Sequence, residues 1–476
     1  MFKLKKIVYN QISFGMFPFI FFLTHPASSN PEKLPKSTIE IDADKVIGKL
    51  EPFRHSFGQG GVNPIPLPQG VIEGIKKLQP RLIRIFLQEF FNIYSEDGKL
   101  NWQILDPYME ALAQTGAKIV ACITIKPRRL FPQIDQRIWQ PKDVKEWQNL
   151  IYELVKRYSV EKQIVTYWEV ANEPDIGEAG GTPYLIPEPA EYCEFYRITT
   201  EPIIKACPTV KVGGPALASV NSPLLEGLIE YCKRTGTKLD FVSWHLYSDD
   251  PTLHAKGIER AKSLLRDFPG KRPEMLITEW NRNIGDISGE SKDASVVASC
   301  LLSMLETDVD WTFYYQICDQ VFYKEHFEYW FSAEGIRNME NFWNPVPRFG
   351  LFDLEGRVRA PYFVYQMLYR MGEKKIDAKC DESDIKLLAS RSDSRLSLMF
   401  VNPSSQGKAL TINIKNLKPG KKSLRIYSID ANKRWSSQKL ELLPIKEREI
   451  FTSSEFSFEI WAPSYSVIQA IFDDIS

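Results

Sequence analysis

Two glutamates end apolar runs, where a carboxylate without a partner is disfavoured. Glu173 closes the stretch Tyr167-Trp-Glu-Val-Ala-Asn-Glu-Pro174, and Glu279 lies in Leu276-Ile-Thr-Glu-Trp-Asn281. Two carboxyl groups facing one another across a cleft suit glycoside hydrolysis. One protonates the leaving oxygen, and the other attacks or stabilises the anomeric carbon. Their surroundings must then push their pKa values apart. Either glutamate alone reads as an ordinary strand-end or salt-bridge acid. The pair, with Asn172 and Trp280 beside it, reads as a site. Other polar residues close apolar runs as well: Arg84 in Leu82-Ile-Arg-Ile-Phe86, and His245 and Tyr247 in Trp244-His-Leu-Tyr247. His55, in Phe53-Arg-His-Ser-Phe57, reads equally as a structural histidine and as a group reaching a sugar hydroxyl. The five His form no HExxH, and no CxxC is present. The expectation is therefore no metal and no cofactor.

These residues need a scaffold that brings strand ends together. From about residue 51 to 375, β-rich runs alternate with amphipathic ones. Strands are expected at 53–58, 81–87, 118–124, 165–171, 209–213, 240–245, 274–279 and 311–317. Helices are expected at 71–78, 103–115, 142–158, 188–206, 223–235, 254–268, 292–307 and 360–371. Nearly continuous apolar strands separated by helices indicate a parallel sheet covered by helices. Eight such pairs predict an α/β fold, a (β/α)8 TIM barrel, whose site sits at the C-terminal strand ends. A doubly wound open sheet is the alternative. Gly58-Gln59-Gly60-Gly61 lacks the GxGxxG spacing that sheet would want, and reads as a loop with unusual backbone angles. After residue 376 short alternating runs predict a C-terminal antiparallel β-sandwich over 376–476. Residues 30–50 include Thr38-Ile-Glu-Ile-Asp42, which alternates and is expected to add a strand to that sandwich.

The chain has 476 residues, with 60 Lys+Arg against 60 Asp+Glu. That length excludes one small module. A hydrophobic fraction of 43% disfavours disorder, and balanced charge disfavours a nucleic-acid binder. Residues 1–29 read as a signal peptide: Lys3, Lys5 and Lys6, then apolar Phe14 to Leu23, then Ala27, Ser28 and Ser29. A secreted or periplasmic location follows, with a signal anchor as the competing reading. The apolar run is shorter than the ~20 residues of a membrane span, so no stable span is expected in the mature form. Losing three lysines with the leader leaves a slightly acidic protein. The seven Cys read as buried small hydrophobes rather than a disulfide framework.

Asn172-Glu173-Pro174 at the end of the fourth strand resembles the motif of clan A retaining glycoside hydrolases. Within that clan the chain is most similar to glycoside hydrolase family 39, the β-xylosidase and α-L-iduronidase group. Thr312-Phe-Tyr-Tyr-Gln-Ile-Cys-Asp319 resembles the family's eighth-strand segment. Phe349-Gly-Leu-Phe-Asp-Leu-Glu-Gly356 with Pro361-Tyr-Phe363 resembles its closing strand and last helix. The resemblance implies a retaining hydrolase of an oligo- or polysaccharide, with Glu173 as acid/base and Glu279 as nucleophile. It implies that Asn172 binds the sugar 2-OH, that Tyr247 orients Glu279, and that Arg84 lies beneath Glu279 and lowers its pKa. A buried strand-end salt bridge is an equally available and compatible role for Arg84. His245 is expected to line the site. Tyr315 and Gln316 stand where the family commonly has a Trp, so the sugar subsite should differ in shape.

The segment 318–358 is rich in aromatics, among them Tyr323, Trp330 and Trp343. It reads as a long loop at the mouth, its rings either stacking on sugar or anchoring the loop. Lys126, Arg128 and Arg129 are candidates to recognise an acidic sugar, or else a solvated loop. A non-catalytic carbohydrate-binding or polysaccharide-assembly protein on a degenerate barrel is the reading from another class. A lyase or transglycosylase on the same scaffold is a third.

Overall fold

The computed structural model describes residues 36–432 and 435–475, together with the backbone of a short strand, β1 (Phe19–Phe21). Most of the expected leader lies outside the described residues.

Among the described residues, eight parallel strands close into a barrel in the order β10-β3-β4-β5-β6-β7-β8-β9. They are β3 (His55–Gln59), β4 (Leu82–Leu87), β5 (Lys118–Ile123), β6 (Val165–Val170), β7 (Lys211–Leu217), β8 (Phe241–Tyr247), β9 (Glu274–Asn281) and β10 (Trp311–Tyr315). Each matches an expected strand. The connecting helices are α1 (Gln69–Leu78), α2 (Leu105–Ala113), α3 (Val144–Val155), α4 (Pro189–Ala206), α5 (Pro223–Thr235), α6 (Pro251–Leu264), α7 (Ser291–Leu305) and α9 (Ala360–Tyr369). Their ends follow local chemistry. Asp143 caps α3 by accepting from Lys145 and Glu146 N–H groups. Pro223 starts α5 after Ser222, and Gly236 ends it at φ 72°. Gly60 and Gly61 take φ 99° and 95°, the unusual angles their loop requires.

Strand side chains alternate between the lumen and the helix layer. Leu82, Val120, Tyr167, Phe241, Leu276 and Phe313 form an apolar floor inside the barrel. Two residues further along the same strands come Arg84, Cys122, Glu169, Ser243, Thr278 and Tyr315. The polar layer therefore begins directly above a sealed apolar plug, near the C-terminal ends.

The segment 318–358 is not a structureless loop. It folds a helix, α8 (Ala333–Trp343), capped by the Ser332 hydroxyl, which accepts from Gly335 N–H at 3.0 Å. Phe327, Trp330, Phe331 and Trp343 are buried. Phe327 stacks on Trp330 with centroids 5.2 Å apart. For these rings the anchoring reading holds.

A second sheet of ten strands runs β1-β17-β14-β2-β11-β12-β13-β18-β15-β16. Its strands are β2 (Lys36–Lys49), β11 (Lys374–Cys380), β12 (Lys386–Arg391), β13 (Arg395–Asn402), β14 (Lys408–Lys415), β15 (Gly420–Ile429), β16 (Lys446–Thr452), β17 (Glu455–Ala462) and β18 (Ser466–Asp474). β17 and β18 are not hydrogen-bonded neighbours, yet Phe456 and Phe458 pack on Phe472 at 6.0 and 5.8 Å. The sheet thus folds onto itself as a sandwich around its own core. β2 lies between β14 and β11, antiparallel to β11 but parallel to β14. Sequence patterning does not anticipate that parallel pair. The sandwich is tied to the barrel by Gln469, which donates to the Met367 carbonyl at 2.7 Å. Among the described residues all cysteines are unpaired, and no helix is long and apolar enough to cross a membrane.

Candidate active site

Arg84 organises the centre of the lumen and is fully buried. Its guanidinium spends three donors on the ends of two strands, β6 and β9. Nε donates to Glu169 Oε2 at 2.8 Å, Nη1 to Glu279 Oε1 at 2.6 Å and Nη2 to Asn172 Oδ1 at 2.6 Å. Its carbon also lies 4.3 Å from the centroid of the Phe86 ring. The other Glu279 oxygen accepts from the Tyr247 hydroxyl at 2.6 Å. Glu279 reaches this position through a register shift between β8 and β9. Trp244 pairs with Ile277, but His245 pairs with Glu279.

Glu173 stands just beyond the end of β6 in a strained turn. Ala171 and Glu173 take φ 66° and 43°, in the left-handed region that non-glycine residues seldom occupy. The backbone holds the turn: Glu173 N–H donates to Ala216 O at 2.8 Å, and Glu173 O accepts from Ile176 and Gly177. Above it lies the turn Gly177–Gly180. A Cβ at Gly180 would overlap the Glu173 carboxyl, so glycine is what lets this turn cover the acid. His245 Nδ1 lies 2.8 Å from Glu173 Oε1, and its Nε2 lies 3.6 Å from Glu279 Oε1. One imidazole therefore touches both carboxyl groups.

The two glutamates have different surroundings. Burial pushes the Glu173 carboxyl up to about 8, and the nearby Asp175 charge adds to this against the pull of Arg84. Glu279 instead has a guanidinium and a phenol as donors, partners suited to a carboxylate. Burial lowers the His245 pKa, which favours a neutral imidazole. Burial raises the Tyr247 phenol, and the Glu279 charge adds to that.

The structure thus gathers Glu173, Glu279, Asn172, Arg84, His245 and Tyr247 in one cluster. Tyr315 borders it. Its hydroxyl donates to Gly60 O at 2.7 Å, and its ring packs on Phe86 and Phe349. Two expected site residues are elsewhere. His55 begins β3, at the barrel end away from the cluster. It shares a strand face with Phe57, which packs on Tyr365 of α9. Its Nδ1 is satisfied by the Thr312 hydroxyl at 2.8 Å, so the structural reading holds. Trp280 follows Glu279 and alternation turns it outward. It packs on His254 of α6 and on Tyr314. The basic trio does not assemble an acid-recognition site. Lys126 donates to the Asp135 and Pro183 carbonyls, Arg129 pairs with Glu146, and Arg128 is exposed.

Four contributors escape sequence reasoning. Glu169 is fully buried under Arg84. Its signal was an acid two residues after Tyr167 in an apolar run, hence on the lumen face. Asp175 and Gly180 sit in the loop after β6, where no periodicity reports position. Glu178 accepts from the Ser332 N–H at 2.9 Å and from its hydroxyl. It thereby clasps the loop after β6 to the start of α8 across the mouth.

A family model described as glycosyl hydrolases family 39 matches residues 38–403. A curated β-xylosidase of Geobacillus stearothermophilus is 23% identical over 279 residues, covering 51% of each chain. One of Caldicellulosiruptor saccharolyticus is 22% identical over 343 residues, covering 65% of each. The chain thus spans between half and two thirds of the length of these relatives. Among solved structures, a monomeric β-xylosidase from Caulobacter crescentus superposes with a TM-score of 0.73 at 19% identity. The match covers 92% of this chain and 100% of that one, a likeness of fold. With the family model matched over well more than half of its length, the chain belongs to glycosyl hydrolases family 39.

Proposed function

We propose that the protein is a retaining glycoside hydrolase that cleaves a terminal sugar, β-xylosyl in class, from an oligo- or polysaccharide. The observation that carries this is the split between the two glutamates. Glu173 favours its acid form, while both Glu279 oxygens accept from strong donors. That is the division of labour double displacement needs. In the first step Glu279 attacks the anomeric carbon, and Glu173 gives its proton to the departing glycosidic oxygen. In the second, Glu173 takes a proton from water as the water attacks the same carbon, and the Glu279 carboxylate leaves. Neutral His245 holds the Glu173 carboxyl in place through its Nδ1, 2.8 Å from Oε1. Asn172 keeps its amide donors for the sugar 2-OH, because Arg84 occupies its oxygen. The β-xylosyl class rests on the names of the curated relatives. Export through the basic and apolar N-terminal segment belongs to the same proposal, and N-terminal sequencing of the protein from its native host tests it.

A panel of aryl glycosides tests the activity. Glu279→Ala should abolish turnover. Glu173→Ala should keep slow glycosylation of substrates with activated leaving groups. Full activity of Glu279→Ala on any substrate of the wild type would overturn the assignment.

A further inference from the structure

Asp175 follows the acid by two residues, and its surroundings are unusual for a carboxylate. It lies half-buried in the loop after β6. Its Oδ1 accepts the Ala218 N–H at 3.1 Å. Glu173 N–H donates to Ala216 O, and Ile186 N–H donates to Pro174 O at 2.7 Å. Residues 173 to 175 are therefore laced, one after another, to the end of β7 and the residue after it and to their own returning loop. Among the described residues no Lys or Arg forms an ion pair with Asp175. A fixed negative charge without a cation thus stands beside the carboxyl that must carry a proton.

We propose that Asp175 is a positioning residue for the proton on Glu173: its charge, pinned by the Ala218 N–H, adds to burial in keeping that carboxyl in its acid form. The inference rests on the retaining-hydrolase reading for its importance, but its physics does not. A like charge nearby disfavours ionisation of a neighbouring acid. The groups facing Glu173 can be set out by element. His245 and Tyr247 come from β8, Arg84 from β4, Glu279 from β9 and Tyr315 from β10, with Asp175 on the acid's own loop. Burial disfavours the ionised form of Glu173 most, the Asp175 charge adds to this, and Arg84 opposes both. Asp175 itself is raised by burial and held down by its backbone hydrogen bonds.

Asp175→Asn keeps the acceptor for Ala218 and removes only the charge. The first readout is the pH profile of kcat/KM on a glycoside with a poor leaving group, where protonation limits the rate. The alkaline limb should move down by about one pH unit. Asp175→Glu, which restores the charge, should return the limb toward the wild-type position. An unmoved limb in Asp175→Asn, or an equal loss of rate at every pH, would overturn the proposal. The second readout needs no activity: carboxyl titration by 13C NMR in glutamate-labelled protein, with Glu173→Gln identifying the resonance. That titration should shift down in Asp175→Asn, and a midpoint equal to wild type would overturn the proposal. A chain that hydrolyses no glycoside yet shows the shift would refute the hydrolase reading and leave this inference standing.

Discussion

Replacing Arg84 by Met tests whether one guanidinium holds the centre together. The side chain is fully buried and donates to Glu169, Glu279 and Asn172. Met fills much of its volume but leaves Glu169 at 0% and Glu279 at 8% side-chain exposure without their cation. Breaking a buried ion pair by removing one partner costs about 3–5 kcal/mol. For a domain larger than 200 residues that corresponds to a fall in melting temperature of roughly 5–10 °C. A second substitution sharpens the test. In the Arg84→Met, Glu169→Leu double variant the Arg84–Glu169 pair is replaced by apolar groups, a change that for a pair alone is often neutral or stabilising, and only Glu279 is left without its cation. The double variant should therefore be more stable than the single one, by about 2 kcal/mol or more. Activity should not follow stability. Both variants deprive Glu279 of its guanidinium, and both should lose about 100-fold or more in kcat, as when one electrostatic donor is removed from an active site. Urea denaturation and thermal melts at neutral pH, beside kinetics on an aryl glycoside, give both numbers. A single variant that melts with the wild type, or a double variant no more stable than the single, would refute the reasoning.

Other substitutions probe the parts around that centre. Gly180→Ala places a Cβ against the Glu173 carboxyl and should displace it. A loss of roughly 100-fold in kcat with near-normal folding is expected, measured by kinetics and circular dichroism. Glu173→Gln should alter the pH dependence of stability. The native carboxyl titrates near 8, against about 4.3 when unfolded. The native state thus binds this proton more tightly, and the group weighs against folding increasingly from about pH 4.5 up to its folded value. Glu173→Gln should match the wild type near pH 4.5 and exceed it progressively toward pH 8, by at most about 1.4 kcal/mol per pH unit. A difference that stays constant across melts from pH 4.5 to 8.5 would contradict this. Ser332→Ala removes the cap of α8 and one partner of Glu178, and should destabilise by about 1–2 kcal/mol. Limited proteolysis should then cut between 322 and 345 sooner than in the wild type, and equal cleavage rates would argue against the clasp.

Much of the scaffold is legible in the chain because its strands are buried on both faces and its helices on one. Continuous apolar runs and 3.6-residue periodicity report those environments directly. Glu173 and Glu279 are legible for the same reason, as charges ending runs that otherwise exclude them. What the sequence hides depends on register and on tertiary partners. Trp280 and Glu279 are adjacent, and only strand parity together with the β8–β9 shift decides which faces the lumen. His55 looks like a site residue until its strand face and its end of the barrel are known. β11 escapes because Lys374–Cys380 offers one fully buried residue, Ile376, among charged neighbours. α8 escapes because its apolar residues are interleaved with Asn, Arg and Glu inside a segment that reads as loop. Asp175 and Gly180 act through loop geometry, which carries no periodic signal.

The claim at the centre is that Glu279 forms a covalent bond to the sugar while Glu173 handles the proton. Its most direct test is trapping with an activated 2-deoxy-2-fluoro-β-xyloside, followed by peptide mass spectrometry. The fluorine slows both steps, and the activated leaving group lets the first proceed faster than the second. The glycosyl adduct should appear on the peptide containing Glu279, should be absent in Glu279→Gln, and should turn over when a sugar acceptor is added. An adduct on another residue, or hydrolysis of the parent β-xyloside with inversion and no adduct, would contradict it.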